Sequence, residues 1–320
     1  MIVNGEPHRS LGEGYHVIVN PHSGAIRNGH LAPEKMIEVL GDGTRITLTR
    51  DLDHLRELVR SLRGDRVGTV AILGGDGSIL NVLTSFVRAY DGGNDLPDFH
   101  LLGGGTVNAL LGEFKATSKP IARLERFKKI LDGQIEKTYQ ERNVLDANGI
   151  NGFIFGAGYL RNASEYYDSH NVNGIWTSML VTLKITKGLI LEEPAIVKFL
   201  ADLPADIQFD GHPIGLKTFN FTYLSTITSN GLNLKVTPSA CAEPNRFEAV
   251  VTHVTVGELL SAFFKMSFGA TLKTPKLERA MVTSVRFDAP DPIAWFMDGD
   301  RFEPARTIVV KLGPKLRFLQ

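Results

Sequence analysis

Three short stretches place glycine beside hydroxyl, amide and carboxylate side chains. Asn20-Pro21-His22-Ser23-Gly24 follows the apolar run Tyr15–Val19, and Gly74-Gly75-Asp76-Gly77-Ser78 follows Thr69–Leu73. Gly103-Gly104-Gly105-Thr106-Val107-Asn108 follows Phe99–Leu102. The middle stretch is the most informative. Its glycines free the backbone to take positive φ and admit a close neighbour. The residues after it, Ile79, Leu80, Leu83 and Phe86, repeat at a helical spacing. A strand, a glycine turn and a helix N-terminus together make an anion site, because unpaired N–H groups and the positive end of the helix dipole point outward. Asp76, within that turn, can hold a cation beside the bound anion. Taken alone, the middle stretch reads as an ordinary strand-to-helix turn. Three such loops, each at the end of a strand, read as the rim of a ligand crevice in an open α/β sheet.

The elements that position these loops are legible from their periods. Strands are expected over residues 15–20, Arg45–Thr49, 69–73 and 99–102. Helices are expected over Pro33–Leu40, Asp51–Leu62 and Ile121–Leu131, the second carrying Leu52, Leu55, Leu58, Val59 and Leu62 on one stripe. Alternating strands and helices predict a mostly parallel sheet covered on both faces. Beyond about residue 133 strands dominate. They are expected at Glu136–Asp146, Gly152–Gly158, Ala195–Phe199, Ile207–Phe209, Phe219–Ser225, Phe247–Val254, Ser284–Asp288, Ala294–Phe296 and Thr307–Lys311. Asp146-Ala147-Asn148-Gly149 and Asp210-Gly211 read as hairpin turns. This half is predicted to be an antiparallel β-sandwich. Two helices interrupt it, near 174–190 and 256–268. The second crowds Leu259, Leu260, Phe263, Phe264 and Phe268 on one side, and Phe263, Phe264 and the 174–190 helix are expected to border an apolar pocket.

The loops, in this order and spacing, read N-P-x-S-G, G-G-D-G-[ST] and G-T-x-N. Over about residues 14–319 the chain resembles the diacylglycerol kinase/sphingosine kinase catalytic family, including its bacterial lipid kinases. The NAD kinases, which share G-G-D-G, are more distant. The resemblance implies an ATP-binding α/β domain over 14–133 and a β-rich lipid- or acceptor-binding domain over 134–320. The last strands of the second domain would pack back on the first, and the acceptor would lie in or beside the cleft between the two. It implies ATP and Mg2+ as cofactors, with transfer of the γ-phosphate to a hydroxyl of a lipid such as diacylglycerol or a sphingoid-type acceptor. The residues it assigns to the nucleotide are Asn20, Ser23, Gly24, Thr49, Gly74, Gly75, Asp76, Gly77, Ser78, Gly105, Thr106 and Asn108. Asp76 would face the metal or act directly at the acceptor. The family's D-G-E appears here as Asp298-Gly299-Asp300. That makes Asp300 the candidate base and Asp298 its neighbour, although the same residues read without the family are a polar hairpin turn. Two positions depart from the family: Ala109 follows Asn108, and Pro244-Asn245-Arg246-Phe247 stands where a metal-binding D-G-[LM] is common.

The 320 residues are 43% hydrophobic and 22% charged, which is a globular composition of two-domain length. With 35 basic and 35 acidic residues the formal net charge is +0, so no global field draws the protein to nucleic acid or to an anionic membrane. Cys241 is alone, which excludes an internal disulfide and points to a cytoplasmic setting. It reads as a small core residue. The first residues lack the apolar core of a secretory signal. No apolar run approaches the roughly eighteen residues of a membrane span. A lipid substrate would therefore be taken from the membrane surface or from solution, by peripheral contact. A homodimer stays open. His22 reads as a solvated loop residue and His253 as a satisfied core histidine. No His/Cys spacing suits zinc. Neither a P-loop nor G-x-G-x-x-G nor G-x-S-x-G is present. An NAD kinase-like activity on a soluble acceptor and a non-catalytic lipid- or nucleotide-binding protein remain the alternatives to a lipid kinase.

Overall fold

Short β-branched runs and helical periods alternate through the first part of the chain, and each becomes the element its period requires. The structure, a computed structural model, describes residues 2–4, 14–29, 31–41, 43–93, 95–104, 109–114, 119–169, 187–188, 191, 193, 198–228 and 234–320. The chain divides into two compact units, Met1–Val144 with Gly313–Gln320, and Leu145–Leu312.

The first unit contains strands β1 (Ile2–Asn4), β2 (Tyr15–Val19), β3 (Ile46–Leu48), β4 (Thr69–Leu73) and β5 (Asp98–Leu101). Its helices are α1 (Gly24–Arg27), α2 (Pro33–Leu40), α3 (Leu52–Gly64), α4 (Asp76–Ala89), α5 (Ala109–Glu113) and α6 (Pro120–Leu131). Strand β6 (Thr138–Ala147) leaves the unit, and β17 (Asp300–Leu319) returns to it. Strands β3, β2, β4 and β5 pair in parallel in that order. The end of β17 adds a parallel neighbour, with Phe318 beside Phe99. Both faces of this sheet are buried, as parallel strands require. Val17, Val19, Ala71 and Leu73 pack with Met36 and Leu40 of α2 and with Leu124 and Phe127 of α6. From the other face Phe99 meets Phe86 of α4 edge-on, with ring centroids 5.4 Å apart. On α3 the expected stripe narrows, because Leu55, Val59 and Leu62 are buried while Leu52 is 48% exposed.

The second unit is antiparallel. Its strands are β7 (Ile150–Gly152), β8 (Ile154–Gly158), β9 (Leu203–Pro204), β10 (Asp206–Phe209), β11 (His212–Pro213), β12 (Thr218–Phe219), β13 (Phe221–Ser225), β14 (Phe247–Thr252), β15 (Leu277–Val282) and β16 (Ser284–Met297), with the first part of β17. The main order is β15-β14-β13-β8-β16-β17. Helices α7 (Tyr159–Ser169) and α8 (Val256–Ser267) accompany it. Three tight hairpins share one chemistry. Asn148-Gly149, Asp210-Gly211 and Asp298-Gly299 all take positive φ at both residues, the type I′ geometry that Asx-Gly favours. Phe155 stacks on Trp295 at 5.7 Å and on Phe287 at 6.1 Å, which builds the aromatic core of the unit.

The structure corrects several expectations. The separate strands at Ser284–Asp288 and Ala294–Phe296 are one strand, β16. Pro290 and Pro292 cannot donate to the ladder, and the register shifts between Asp288 and Ile293 there. Strand β15 and helix α7 are not among the expected elements. Lys198–Leu200 forms a 3-10 turn in place of the expected strand, and residues 195–197 lie outside the described residues. The expected helix near 174–190 also lies outside them, except Lys187 and Gly188. Cys241 is exposed rather than in the core, because it sits in the turn-rich run before β14. Among the described residues no helix is long and apolar enough to cross a membrane.

Candidate functional site

The three glycine loops leave the carboxyl ends of β2, β4 and β5, which are adjacent strands. The structure brings them together. Asn20, one residue past β2, donates from Nδ2 to Ser78 Oγ at 2.7 Å. Its Oδ1 accepts from the His22 N–H at 2.8 Å, which sets the first loop's turn. Ala25 donates its N–H to Gly104 O at 3.1 Å, joining the first loop to the third.

Two glycines are required by this contact. A Cβ on Gly104 would stand 3.2 Å from Ala25 Cβ and 3.5 Å from the Gly74 backbone, and Gly104 has φ +153°. A Cβ on Gly74 would lie 2.3 Å from Ser78 Cβ. Gly75 is different. It takes φ −81° as the residue capping α4, an ordinary conformation for any residue. The positive φ expected of this turn belongs instead to the third loop, at Gly103 and Gly104.

No side chain caps α4, whose first turn begins with Asp76, Gly77 and Ser78. The N–H groups of a first helical turn have no intrahelical acceptor. Ser23 is 5% exposed, and among the described residues its Oγ has no hydrogen-bond partner. A buried hydroxyl and an uncapped helix end, beside backbone that admits no further side chain, suit the oxygens of a phosphate. Thr49 is anchored, since its N–H and its hydroxyl both donate to Val19 O, at 2.9 and 3.2 Å. His22 is exposed. Gly105, Thr106 and Asn108 lie outside the described residues.

Sequence reasoning missed Arg123 of α6. It is 6% exposed, and its Nε donates to Leu102 O at 2.6 Å. A Cβ on Gly103 would meet Arg123 Nη2 at 2.5 Å, so the guanidinium braces the start of the third loop. Burial lowers its pKa to about 10. The available signal was an arginine at helical spacing from Phe127 and Ile130, on the apolar side of the expected helix.

In the second unit Asp298 and Asp300 flank the turn between β16 and β17. The Asp298 carboxylate accepts from the Phe153 N–H at 3.0 Å and the Ile154 N–H at 2.8 Å. Its own N–H donates to Ile154 O at 2.8 Å. A Cβ on Gly152 would lie 2.6 Å from Asp298 Oδ2, so glycine makes room for this staple. Burial, and then the Asp298 charge, push the Tyr223 hydroxyl well above its ordinary pKa. Asp300 opens β17 opposite Met297 and is half-buried. At the departure from the family, Asn245 takes φ +59°. Arg246 donates to Met281 O at 2.6 Å and lies 3.6 Å from Asp210 Oδ2. The Asp210 carboxylate is already held by Thr283 and Ser284, each at 2.8 Å. Among the described residues no three His, Cys, Asp or Glu side chains converge to hold an ion. His253 is partly buried and meets Asp202 Oδ1 at 2.8 Å.

A parallel α/β unit with glycine loops at its strand ends, followed by an antiparallel β-rich region, defines a two-domain fold that solved structures share. One, described as a diacylglycerol kinase of Bacillus anthracis str. Sterne, is 15% identical with a TM-score of 0.61, over 97% of this chain and 98% of its own. A second, from the same organism and provisionally described as a diacylglycerol kinase, is 14% identical with a TM-score of 0.68, over the same 97% and 98%. At such identities the likeness is one of fold. Residues 14–139 match the family model of the diacylglycerol kinase catalytic domain. No curated protein matches the chain.

Proposed function

We propose that the protein is an ATP-dependent lipid kinase that transfers the γ-phosphate of ATP to a hydroxyl of a lipid such as diacylglycerol or a sphingoid-type acceptor. The observation that carries this reading is the contact of the three glycine loops with one another, Asn20 with Ser78 at the uncapped first turn of α4 and Ala25 with Gly104, together with the buried Ser23 hydroxyl in the first loop. The catalytic-domain match over the same residues supports it. In this proposal the first-turn N–H groups of α4 and the Ser23 hydroxyl bind phosphate oxygens, with Asn20, Gly24, Gly74, Gly75, Gly77 and Ser78 shaping the cradle. Thr49, Gly105, Thr106 and Asn108 complete the nucleotide contacts. Asp76 would hold Mg2+, which, when bound with ATP, neutralises charge on the triphosphate. Asp300 accepts the proton of the lipid hydroxyl. Asp298, committed to two backbone N–H groups, positions the turn that carries Asp300. The first unit serves the nucleotide and the second the acceptor.

The test is direct. Incubation with γ-labelled ATP, Mg2+ and a mixed lipid extract should move label into the chloroform phase, and Asp76→Asn should abolish it. Label transferred to NAD and not to lipid would replace the reading with the NAD kinase-like one. No transfer to either would leave a binding protein.

A further inference from the structure

Helix α8 starts with a complete capping box, in which Thr255 accepts from the Glu258 N–H at 3.3 Å and Glu258 Oε2 accepts from the Thr255 N–H at 2.8 Å. It buries Leu259, Ala262 and Met266, each 5% exposed or less. Phe264 and Phe268 face the other way. They are 66% and 78% exposed, the two most exposed large apolar side chains among the described residues. The expected apolar pocket would involve the 174–190 helix, which lies outside the described residues but for Lys187 and Gly188. The two rings, four residues apart, pack on each other with centroids 5.0 Å apart at 61°.

Lysines lie close to this pair in sequence. From Leu259 to Leu277 the sequence holds Lys265, Lys273 and Lys276 and no acidic residue. All three lysines are exposed, and Lys276 lies within reach of the Glu258 carboxylate at the start of α8, which leaves Lys265 and Lys273 for the patch. Lys235, also exposed, joins them from a separate segment. It forms an isolated bridge with Thr271, and its Nζ lies 3.8 Å from where a Cβ on Gly269 would stand. In a chain of formal net charge +0, this is a local concentration of charge.

We infer that this patch docks the protein on an anionic lipid bilayer, with Phe264 and Phe268 at the boundary of headgroups and acyl chains. Lys235, Lys265 and Lys273 lie on the lipid phosphates. Exposed aromatic rings beside lysines match the two parts of an interface, an apolar edge under a layer of negative charge. Lysine stems lie along apolar surface while the ammonium stays with the phosphates. A second copy of the chain fits the patch less well. Two rings supply at most about 300–500 Å², below the roughly 800 Å² per partner of a stable interface. A two-fold contact would also set lysines against lysines. The inference goes beyond the kinase reading, because docking needs neither nucleotide nor acceptor.

Flotation of the full chain with phosphatidylcholine vesicles, with and without phosphatidylglycerol and without ATP, tests it. The wild type should bind the phosphatidylglycerol vesicles. Phe264→Ser with Phe268→Ser should weaken binding by roughly tenfold or more. Lys265→Glu with Lys273→Glu should remove the preference for phosphatidylglycerol. Both side-chain pairs are exposed, and an unchanged melting temperature checks the fold. A Phe268→Trp variant should be quenched by brominated lipid. Wild-type protein that ignores vesicles, or that binds no better than the double serine variant, overturns the inference. So does a concentration-dependent dimer that the serine variant abolishes while the wild type stays off vesicles. Phosphorylation of detergent-dispersed lipid by a variant that no longer floats would keep the kinase reading separate from this one.

Discussion

Asn20 Nδ2 donates to Ser78 Oγ at 2.7 Å across 58 residues of sequence, and so holds the first glycine loop against the second. The same side chain sets the His22 turn through its carbonyl oxygen. The two loops are thus held as one surface before any ligand arrives. Asn20→Ala and Ser78→Ala should each cost about 1 kcal/mol of stability. In the double variant the losses should not add, because one bond is removed either way. Urea unfolding of the two single variants and the double variant gives the coupling energy. Calorimetry should show weaker ATP binding in all three. Additive losses would mean that the bond carries no coupling.

The glycines of the site should separate by backbone conformation. Gly104 has φ +153° and faces Ala25 Cβ, so Gly104→Ala should cost about 1–3 kcal/mol and loosen the loop junction. Gly75 has φ −81°, so Gly75→Ala should fold with near-normal stability. Its effect should appear in nucleotide binding, where a Cβ at the start of α4 meets the phosphate. Thermal unfolding and ATP titration of the two variants read the two effects apart. Equal stability of both variants contradicts the assignment.

His100 of β5 makes stability depend on pH. Its Nδ1 donates to Leu319 O at 2.9 Å, and its ring stacks on Phe127 at 4.7 Å. Burial, with the charges of Arg123 and Arg126, lowers its pKa to about 4. An unfolded histidine titrates near 6.5, so in this window the unfolded chain binds more protons than the folded one. Stability from the neutral ring is fully present above about pH 6.5. It should fall by up to roughly 3 kcal/mol as the pH drops toward about 4. Chemical denaturation across this range should show the slope, and His100→Gln should flatten it. An unchanged slope would place the protons elsewhere.

The two aspartates of the β16–β17 turn should fail differently. Asp298→Ala leaves the Phe153 and Ile154 N–H groups without their acceptor and should cost about 2–4 kcal/mol. Asp300→Asn should fold normally and keep ATP binding, while turnover falls roughly 10²–10³-fold, the lower part of the range for a lost base. Asp300→Glu should retain partial activity. A melting scan beside a single-turnover assay distinguishes them. Wild-type turnover by Asp300→Asn would remove the base assignment.

The sequence by itself determined the local elements. The order of the longer strands, glycine turns and helices from β2 through α6, though not the short β1, α1 and α5, the antiparallel character of the second unit, and the Asx-Gly hairpins at Asn148 and Asp210 all depend on neighbours within one or two turns of chain. Hydrophobic period and glycine position report such neighbours well. Only the tertiary structure decided which loops touch. Asn20 meets Ser78, Ala25 meets Gly104, and Arg123 braces Gly103, across separations that no period encodes. It also decided that positive φ falls on Gly104 and not on Gly75. Phe318 joins the parallel sheet beside Phe99, where the pair of Arg317 with Asp98 at 2.8 and 2.9 Å secures it. On α8 the sequence groups Leu259, Leu260, Phe263, Phe264 and Phe268 on one side, and the structure divides them. Periodicity groups the residues that share a face, but which face is covered depends on what packs against it. Leu259, Ala262 and Met266 went inward, and Phe264 and Phe268 were left to solvent.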